Sequence, residues 1–314
     1  MRAVTSRQKA IEIVDRDVPS GDGELIRVTS SGICGSDLHM IDFGLEGVVL
    51  GHEYGGYTTD GRLVAVRPTG ECGSCPSCLR RHSQTCSEAG SSLYGLATDG
   101  GLAQYALVHP DRLYEVPQEV SPTSVGLVEP LAVVIHGINN ADVIPGMRAL
   151  VVGAGSIGLL TAAVLRDRGA EVDIVARHQH QHAAAEKLSV HSTDTPRTDY
   201  DITFDAVCTQ SSFDTCVNST RPGGTLVEFG MFWEPVTLNN SVMMKEIAIV
   251  PSIFYGHTDE HDDFREAIDF LARHGHITSA VVTHTFSLED AVEAFRVAKD
   301  KRSGAIKVHF HPEG

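Results

Sequence analysis

The stretch RALVVGAGSIGLLTAAVL, residues 148–165, decides the fold, because it reads as an apolar strand, a glycine-rich turn and an apolar helix. Its glycines have the GxGxxG spacing, in which the first permits a tight turn and the second lets the backbone approach a pyrophosphate. The third packs the helix against the strand, and the helix N-terminus attracts phosphate charge. The stretch thus predicts a dinucleotide-binding turn in preference to a purely structural one. Its predicted cofactor-binding residues are Gly153, Gly155, Ser156, Ile157 and Gly158.

The second strand after this turn, within EVDIVARHQ at residues 171–179, bears on the choice of nicotinamide coenzyme. An acidic residue at the end of that strand would bind the ribose hydroxyls and favour NAD. Asp173 comes too early in the strand for this role, and the tip carries Ala176, Arg177 and His178. Because an arginine can pair with a 2′-phosphate, we predict NADP, with Arg177 and His178 at the coenzyme. The alternative is NAD, with Arg177 merely solvated.

The hydrophobic pattern changes character along the chain. Up to residue 122, short β-rich runs alternate with turns that contain glycine and proline, which indicates a compact β-rich domain. Residues 123–256 alternate strands with helices, as in a parallel sheet. Residues 257–314 contain two helical patterns and close on a short strand, GAIKVHF. The pattern therefore predicts an α/β protein with a β-rich domain and a doubly wound parallel-sheet domain.

Composition limits the classes of function. The 314 residues include 42% hydrophobic and 21% charged residues, which suits a globular protein of about two domains. A net charge of −16 with no basic run argues against nucleic acid and anionic membrane as partners. The first residues, MRAVTSRQKAIEIVDRD, lack the apolar run of a signal peptide, so we expect a reducing cytoplasm.

The segment ECGSCPSCLRRHSQTC, residues 71–86, holds four of the seven cysteines. Closely spaced thiolates on a turning loop can converge on one tetrahedral zinc ion. Disulfides are the alternative, but they need an oxidising compartment. We therefore predict a structural zinc with the ligands Cys72, Cys75, Cys78 and Cys86.

A second set of metal-ligating side chains is spread over three motifs. Cys34 lies in SSGICGSDLHM, His52 and Glu53 lie in VVLGHEYGG, and Glu129 lies in LVEPLAV. A thiolate, an imidazole and carboxylates suit a catalytic zinc that keeps one position open. Each also has a plainer interpretation: Cys34 as a small buried residue, His52 as a core histidine, and Glu129 as a carboxylate at a helix N-terminus. The spacing alone leaves both interpretations open.

The motifs CGSDLH, GHEYGG, the four-cysteine segment, DGGLAQYALV, EPLAV and GAGSIG follow one another in this order. In this the chain resembles the zinc-dependent medium-chain alcohol dehydrogenases over nearly its whole length, in particular their polyol and sorbitol dehydrogenase-like branch. The resemblance implies a GroES-like catalytic domain in residues 1–122, a Rossmann domain in residues 123–256 and a return to the catalytic domain in residues 257–314. It also implies an active site in the cleft between the domains and a homodimer or homotetramer.

The resemblance assigns roles to the candidate ligands. Cys34 and His52 look like two ligands of the catalytic zinc, and Glu53 looks like the adjacent ligand that binds the metal or steps aside. Glu129 resembles the polyol-type carboxylate that binds the zinc or its water. With the structural zinc, the resemblance implies two zinc ions per chain.

Three further residues of CGSDLH take catalytic positions in this resemblance. Ser36 stands where the family has its proton-relay hydroxyl, Asp37 where a carboxylate orients a ligand histidine, and His39 where some relatives place an outer relay histidine. Plainer alternatives are a turn serine, a turn carboxylate and a surface histidine. The implied reaction is hydride transfer between a carbinol carbon and the nicotinamide, with zinc as Lewis acid on the substrate oxygen.

The resemblance favours polyols, sugars or aminocyclitols over simple alcohols. The segment at residues 35–51, which in the family helps to wall the substrate pocket, is compact here and leaves the substrate open. A quinone or enone reductase of this fold would lack the zinc-binding residues. A zinc-containing reductase of C=O, C=N or activated C=C bonds would keep them, and a non-enzymatic NADP-binding scaffold would keep only the structural zinc.

Overall fold

The computed structural model describes residues 1–258 and 261–312. The chain divides into two compact units. One comprises residues 1–129 together with the chain from residue 256 onward, and we call it the split unit; the other comprises residues 130–255, and we call it the central unit. Sequence pattern placed these changes after residues 122 and 256. Residues 259–260 and 313–314 of the predicted C-terminal segment lie outside the described residues.

The described strands, in chain order, are β1 (Arg2–Arg7), β2 (Ala10–Asp15), β3 (Glu24–Gly32), β4 (Glu53–Thr58), β5 (Leu63–Val66), β6 (Tyr105–Val108), β7 (Leu113–Glu115), β8 (Arg148–Val152), β9 (Glu171–Val175), β10 (His191–Thr193), β11 (Tyr200–Asp205), β12 (Thr220–Glu228), β13 (Ala248–Pro251), β14 (Val282–Phe286) and β15 (Lys307–Phe310). The α-helices are α1 (Gly35–Asp42), α2 (Pro76–Leu79), α3 (Val128–Asn139), α4 (Ser156–Asp167), α5 (Gln179–Lys187), α6 (Gln210–Ser219), α7 (Asn240–Met244), α8 (Asp263–Arg273), α9 (Thr278–Val281) and α10 (Ala291–Lys299).

The split unit is built around a mostly antiparallel sheet. Its strand order is β14-β15-β3-β4-β5-β7, with β6 paired to β3, while β1 and β2 form a separate hairpin. The last described strand, β15, lies between β14 and β3, so the C-terminal part of the chain completes a sheet begun near the N-terminus. Buried side chains such as Val4, Leu50 and Phe310 form one core of this unit, and Ile26 and Tyr54 belong to another.

The central unit is a six-stranded parallel sheet of order β10-β9-β8-β11-β12-β13. The chain starts in the middle at β8, runs outward to β10 and then returns to the other side at β11, which is the doubly wound arrangement. The apolar runs of β8 and β11 are buried because helices alternate with the strands and cover the sheet. The predicted α/β fold class is confirmed.

Two glycines of the turn after β8 are required by close packing. Gly153 has φ +103°, a conformation that favours glycine, and a Cβ on Gly158 would lie 1.7 Å from the carbonyl oxygen of Gly153. Any side chain at residue 158 would therefore separate α4 from the turn. None of the helices in the described part of the chain is long and apolar enough to cross a membrane.

Candidate metal centre and dinucleotide-binding turn

The start of α1 fixes Cys34 at the end of a central strand. After β3 ends at Gly32, Cys34 takes the N-cap position of α1, and its backbone N–H donates to Asp37 Oδ2 over 2.9 Å. Asp37 is fully buried and sits in the first turn of the helix, where a carboxylate is favourable. The sequence CGSD therefore forms a helix cap, and the cap points a thiol and a carboxylate toward the same region.

The same carboxylate holds the candidate histidine. His52 is buried directly before β4, and its Nδ1 lies 3.1 Å from Asp37 Oδ1. The Ser36 hydroxyl oxygen is 3.4 Å from Nε2 of the same ring. Burial alone would lower the pKa of His52, but the charges of Asp37 and Cys34 raise it well above its usual value. The imidazole is thus oriented by Asp37 in a place that favours positive charge.

Three donor atoms of different chemistry meet here. One ligand atom from each of Cys34, His52 and Glu53 lies within 4.8 Å of the others. His52 and Glu53 are buried, whereas Cys34 is half-buried. Sulfur, imidazole nitrogen and carboxylate oxygen are the donors that zinc prefers, and three protein ligands leave a position for substrate or water. The residues therefore fit a zinc ion.

A buried lysine faces the same carboxylate, and sequence reasoning missed it. Lys307 of β15 is ion-paired with Glu53, and its Nζ donates to the carbonyl of Ile33 over 3.1 Å. Burial would lower the pKa of Lys307, but the Glu53 carboxylate holds it above its usual value, so the lysine stays charged. Gly32 makes room for the pair, since a Cβ there would lie 2.2 Å from Glu53 Oε2. The signal in the sequence was a lysine inside the apolar strand IKVHF.

A neutral histidine lies beside this ion pair. Burial and then the charge of Lys307 lower the pKa of His309 to about 3. Its Nδ1 is 3.0 Å from the Ser30 hydroxyl, and the residue is fully buried. His309 therefore adds no second positive charge near Lys307.

The remaining candidates from the first motif set are placed differently. Glu129 is buried in the first turn of α3 and contributes to the raised pKa of Lys307, but it is not among the three ligand residues that meet within 4.8 Å. His39 is exposed on α1, one helical turn after Ser36. The structure thus brings Cys34, His52, Glu53, Ser36 and Asp37 together. The charge of Glu129 acts on Lys307, the lysine paired with Glu53.

The four-cysteine segment forms a compact lobe, which we call the cysteine lobe (residues 71–86). The Sγ atoms of Cys75 and Cys86 are 3.9 Å apart and those of Cys72 and Cys78 are 4.0 Å apart, too far for disulfides. Thiolates on a tetrahedral zinc at about 2.3 Å would be about 3.8 Å apart. Backbone N–H groups, that of Ser74 first, lower the pKa of Cys72 to about 6. The lobe geometry therefore fits one zinc ion.

The turn after β8 presents open backbone. Gly155 is the N-cap of α4 with no side-chain cap, and no atom lies within 4 Å of where its Cβ would be. Ser156 and Ile157 begin the helix, and the first N–H groups of a helix have no partner within it. Such an N-terminus can hold a pyrophosphate, as the sequence predicted.

The two carboxylates of β9, those of Glu171 and Asp173, belong to the first three residues of the strand. Asp173 accepts a hydrogen bond from Tyr200 Oη at 2.5 Å and lies 2.9 Å from His191 Nδ1. Arg177 and His178 are exposed beyond the strand, and both backbone N–H groups donate to Gln181 Oε1. Arg177 thus lies on an ordered turn directly after β9, the second strand of the dinucleotide-binding pattern.

Comparison with known proteins adds relatives to this geometry. A family model described as zinc-binding dehydrogenase matches residues 156–273, and one described as alcohol dehydrogenase GroES-like domain matches residues 21–118. L-idonate 5-dehydrogenase (NAD(P)(+)) of Escherichia coli (strain K12) is 26% identical over 96% of each chain. Probable D-xylulose reductase A of Emericella nidulans is 30% identical over 92% of this chain and 90% of its own.

Solved structures show the same fold. Galactitol-1-phosphate dehydrogenase from Escherichia coli superposes with a TM-score of 0.90 at 22% identity, covering 99% of this chain and 100% of its own. At this identity the likeness concerns the fold alone.

The ion pair between Lys307 and Glu53 yields a stability prediction. Lys307→Met leaves a buried carboxylate without its counter-charge, and we expect a loss of about 3 kcal/mol in the free energy of unfolding. Adding Glu53→Gln to this variant should restore part of the loss, because an amide needs no counter-charge. Calorimetric melting of the wild type and of the single and double variants measures both effects.

The control for this experiment is an exposed pair. Arg296 and Glu293 lie 2.6 Å apart on α10 and both are more than half exposed, so Arg296→Met should change stability by less than about 0.5 kcal/mol. Equal losses in the Lys307→Met single variant and the double variant would contradict the importance of the pair.

Proposed function

Because the chain belongs to the zinc-dependent medium-chain alcohol dehydrogenases, in their polyol dehydrogenase-like branch, we propose that it oxidises a secondary hydroxyl of a polyol, sugar or sugar acid with NADP as hydride acceptor. The family makes it an NAD(P)-dependent alcohol oxidoreductase. The observation that supports the proposed reaction is the meeting of Cys34, His52 and Glu53 within 4.8 Å beside the Ser36 hydroxyl. The hydroxylated substrate class is suggested by relatives named for idonate and xylulose.

We assign Cys34 and His52 as ligands of the catalytic zinc. When bound, zinc supplies a Lewis acid that lowers the pKa of a substrate hydroxyl. Asp37 accepts from the Cys34 backbone and orients His52, so one buried side chain fixes both ligands. Ser36 is half-buried beside His52, where its hydroxyl can take the proton of a substrate hydroxyl. His39, one turn along α1 and exposed, is the proposed outer acceptor of that proton.

Glu53 and Glu129 are the two candidates for the carboxylate at the metal. Lys307 already neutralises Glu53 through a buried ion pair. We therefore propose that Glu53 is the ligand that binds the metal or steps aside to Lys307, and that Glu129 binds the metal or its water. Both are buried, and both act on the same lysine.

The cysteine lobe is the proposed structural zinc site. Its four sulfur atoms fill every position of a tetrahedral ion, which leaves none for a substrate. Two zinc ions per chain follow from this assignment together with the catalytic site.

We propose NADP over NAD because Arg177, and no carboxylate, follows the end of β9 along the chain. Asp173 is held by Tyr200 and His191, and Arg177 is exposed beyond the end of β9. A guanidinium there can pair with the 2′-phosphate, and the neighbouring His178 can add a second donor.

The edge of the central sheet supports a proposed homodimer. Strand β13 pairs with β12 on one side and is the outer strand of its sheet. Close to it in sequence, Met244 is 83% exposed and Ile253 is 44% exposed. An edge strand flanked by exposed apolar side chains is a natural place for a second copy to pair.

Zinc content and turnover together test the metal assignments. We expect two zinc ions per chain in the wild type and one in Cys34→Ser, whose kcat/KM should fall by about a thousandfold because the substrate hydroxyl loses its Lewis acid. Cys78→Ser should also hold one ion, the catalytic one. Metal analysis and nicotinamide absorbance with polyols, sugars, sugar acids and simple alcohols give both readouts.

Cys216→Ser is the matched control and should keep two zinc ions, since Cys216 is a buried cysteine of the central unit that belongs to neither proposed ligand set. Full turnover by Cys34→Ser would contradict the assignment. Two bound zinc ions without turnover of any alcohol would instead favour a reductase of C=O, C=N or activated C=C bonds.

The coenzyme assignment predicts a selective loss of affinity. Arg177→Ala should raise KM for NADP about tenfold, because a charge-assisted hydrogen bond to the 2′-phosphate is lost, and leave KM for NAD within about twofold. Lys187→Ala, which removes an exposed cation at the end of the following helix α5, should change neither KM. A wild type that prefers NAD would contradict the proposal.

The oligomer prediction uses the exposed edge. Ile253→Glu should convert the wild-type dimer or tetramer to smaller species in sedimentation velocity, because a buried charge would face the second copy. Val292→Glu, 58% exposed on α10 of the split unit, should leave the distribution unchanged. A monomeric wild type would refute the interface.

A further inference from the structure

Two carboxyl groups end neighbouring strands at the centre of the parallel sheet. Asp205 is the last residue of β11 and Glu228 is the last residue of β12, and the two are direct partners in the strand register. In-register residues of parallel strands point to the same face of the sheet about 4.8 Å apart. The dinucleotide turn follows the neighbouring strand β8 at this same edge.

Both groups are buried, and each has an unpartnered oxygen. Asp205 is fully buried and Glu228 is 3% exposed, yet Asp205 Oδ2 and Glu228 Oε1 have no hydrogen-bond partner. The Cys208 sulfur and one oxygen from each carboxyl lie within 4.8 Å of one another. Two carboxylates cannot both stay charged at this spacing in a dry site without a counter-charge.

The groups that face the pair supply no positive charge. Asp205 itself and the Cys208 thiol act on Glu228, and the Ser212 hydroxyl from α6 acts on Asp205. Cys216, also from α6, lies behind them and is buried and neutral. In the described ranges no lysine, arginine or histidine acts on the pKa of either carboxyl. The compensating charge must therefore be a proton or a bound cation.

The Cys208 thiol indicates that the compensating charge is a proton and not a bound cation. Cys208 is buried, and its Sγ lies 3.6 Å from both Glu228 Oε2 and the Asp205 carbonyl, as a thiol donor would. Burial raises the pKa of Cys208, whereas the backbone N–H groups of the cysteine lobe lower the pKa of Cys72 to about 6. A metal needs the thiolate, so Cys208 is a poor ligand where Cys72 is a good one.

The carboxyl pair of Asp205 and Glu228 contacts the loop after β11, and this loop packs against the dinucleotide turn. Asp205 Oδ1 accepts the backbone N–H groups of Val207 at 2.8 Å and Cys208 at 2.9 Å, which fixes the loop after β11. A Cβ on Gly153 would lie 2.3 Å from Val207 Cγ2, so this loop packs tightly against the first glycine of the turn. Gly230, just after β12, donates its N–H to the Cys208 sulfur over 3.1 Å.

We propose that Asp205 and Glu228 share a single proton at neutral pH, and that this proton keeps residues 206–208 packed against the dinucleotide turn. Glu228 is thereby a positioning residue for the coenzyme. When the proton leaves, the two carboxylates repel each other, Asp205 loses its place under the loop, and the support of Gly153 weakens. The inference needs only that the central unit binds a dinucleotide, whatever the substrate.

The direction of the pH effect follows from Glu228. Burial, and then the charge of Asp205, raise the pKa of Glu228 to about 8 from an ordinary value of 4.5. The folded chain therefore binds a proton that the unfolded chain releases, so this group's contribution to stability is fully present below about pH 4.5 and is lost as the pH rises through about 8. The affinity for the coenzyme should likewise fall as Glu228 loses its proton.

The test compares the wild type with Glu228→Gln, whose amide imitates a neutral carboxyl. For the zinc-loaded protein, the Kd of NADPH or NADH from nicotinamide fluorescence should rise about tenfold between about pH 7 and pH 9.5, and the variant should keep its neutral-pH affinity over the whole range. Groups that titrate elsewhere in the enzyme affect the wild type and the variant alike. The difference between their two profiles of Kd against pH therefore reports the protonation of Glu228. Glu171→Gln, an exposed glutamate at the opposite end of β9, should behave as wild type.

A second measurement does not depend on the variant's folding or on coenzyme binding. Infrared spectra of the wild type should show a buried protonated carboxyl at pH 7 that disappears above about pH 9. Absence of that band, identical pH profiles for wild type and Glu228→Gln, or a third zinc ion that Cys208→Ser removes would each overturn the shared proton. Failure to turn over any alcohol would contradict the proposed function and leave these readouts intact.

Discussion

The buried ion pair between Lys307 and Glu53 is the interaction on which the proposed metal centre depends. It connects β15, near the end of the described chain, with β4, while the same ammonium group donates to Ile33 next to Cys34. The pair therefore fixes the segment before the thiol and the carboxylate after the imidazole at once. The return of the chain to the first sheet therefore brings the Lys307 ammonium group to the Glu53 carboxylate.

The negative charge of buried carboxylates is neutralised in a different way in each unit. In the split unit a lysine fixed by sheet pairing neutralises Glu53, and the neutral His309 beside it adds no charge. In the central unit Asp205 and Glu228 have no such partner, and a proton takes its place. The first arrangement stays charged over the physiological pH range, whereas the second titrates within it. The proposed metal centre thus keeps the charges of this ion pair, whereas the proposed support of the coenzyme turn responds to pH.

Local spacing explains what the sequence could predict. The four cysteines lie in one loop, and so do the glycines of the turn. Their spacing along the chain is therefore enough to predict which of them lie close together. Cys34, His52 and Glu53 were candidates by residue type, and the family resemblance pointed to their grouping. The partners of Lys307 could not be predicted, because this lysine lies 274 residues from Ile33, whose carbonyl accepts its hydrogen bond. Glu228 was missed for the same reason, since its partner Asp205 is fixed by strand register and not by spacing.

The most direct test of the metal centre is anomalous diffraction at the zinc absorption edge from crystals of the protein grown with zinc. We predict two peaks per chain, one surrounded by the cysteine lobe and one about 2.3 Å from the Cys34 sulfur with His52 as a neighbour. A single peak confined to the lobe would contradict the assignment of Cys34 and His52 as ligands of a catalytic zinc.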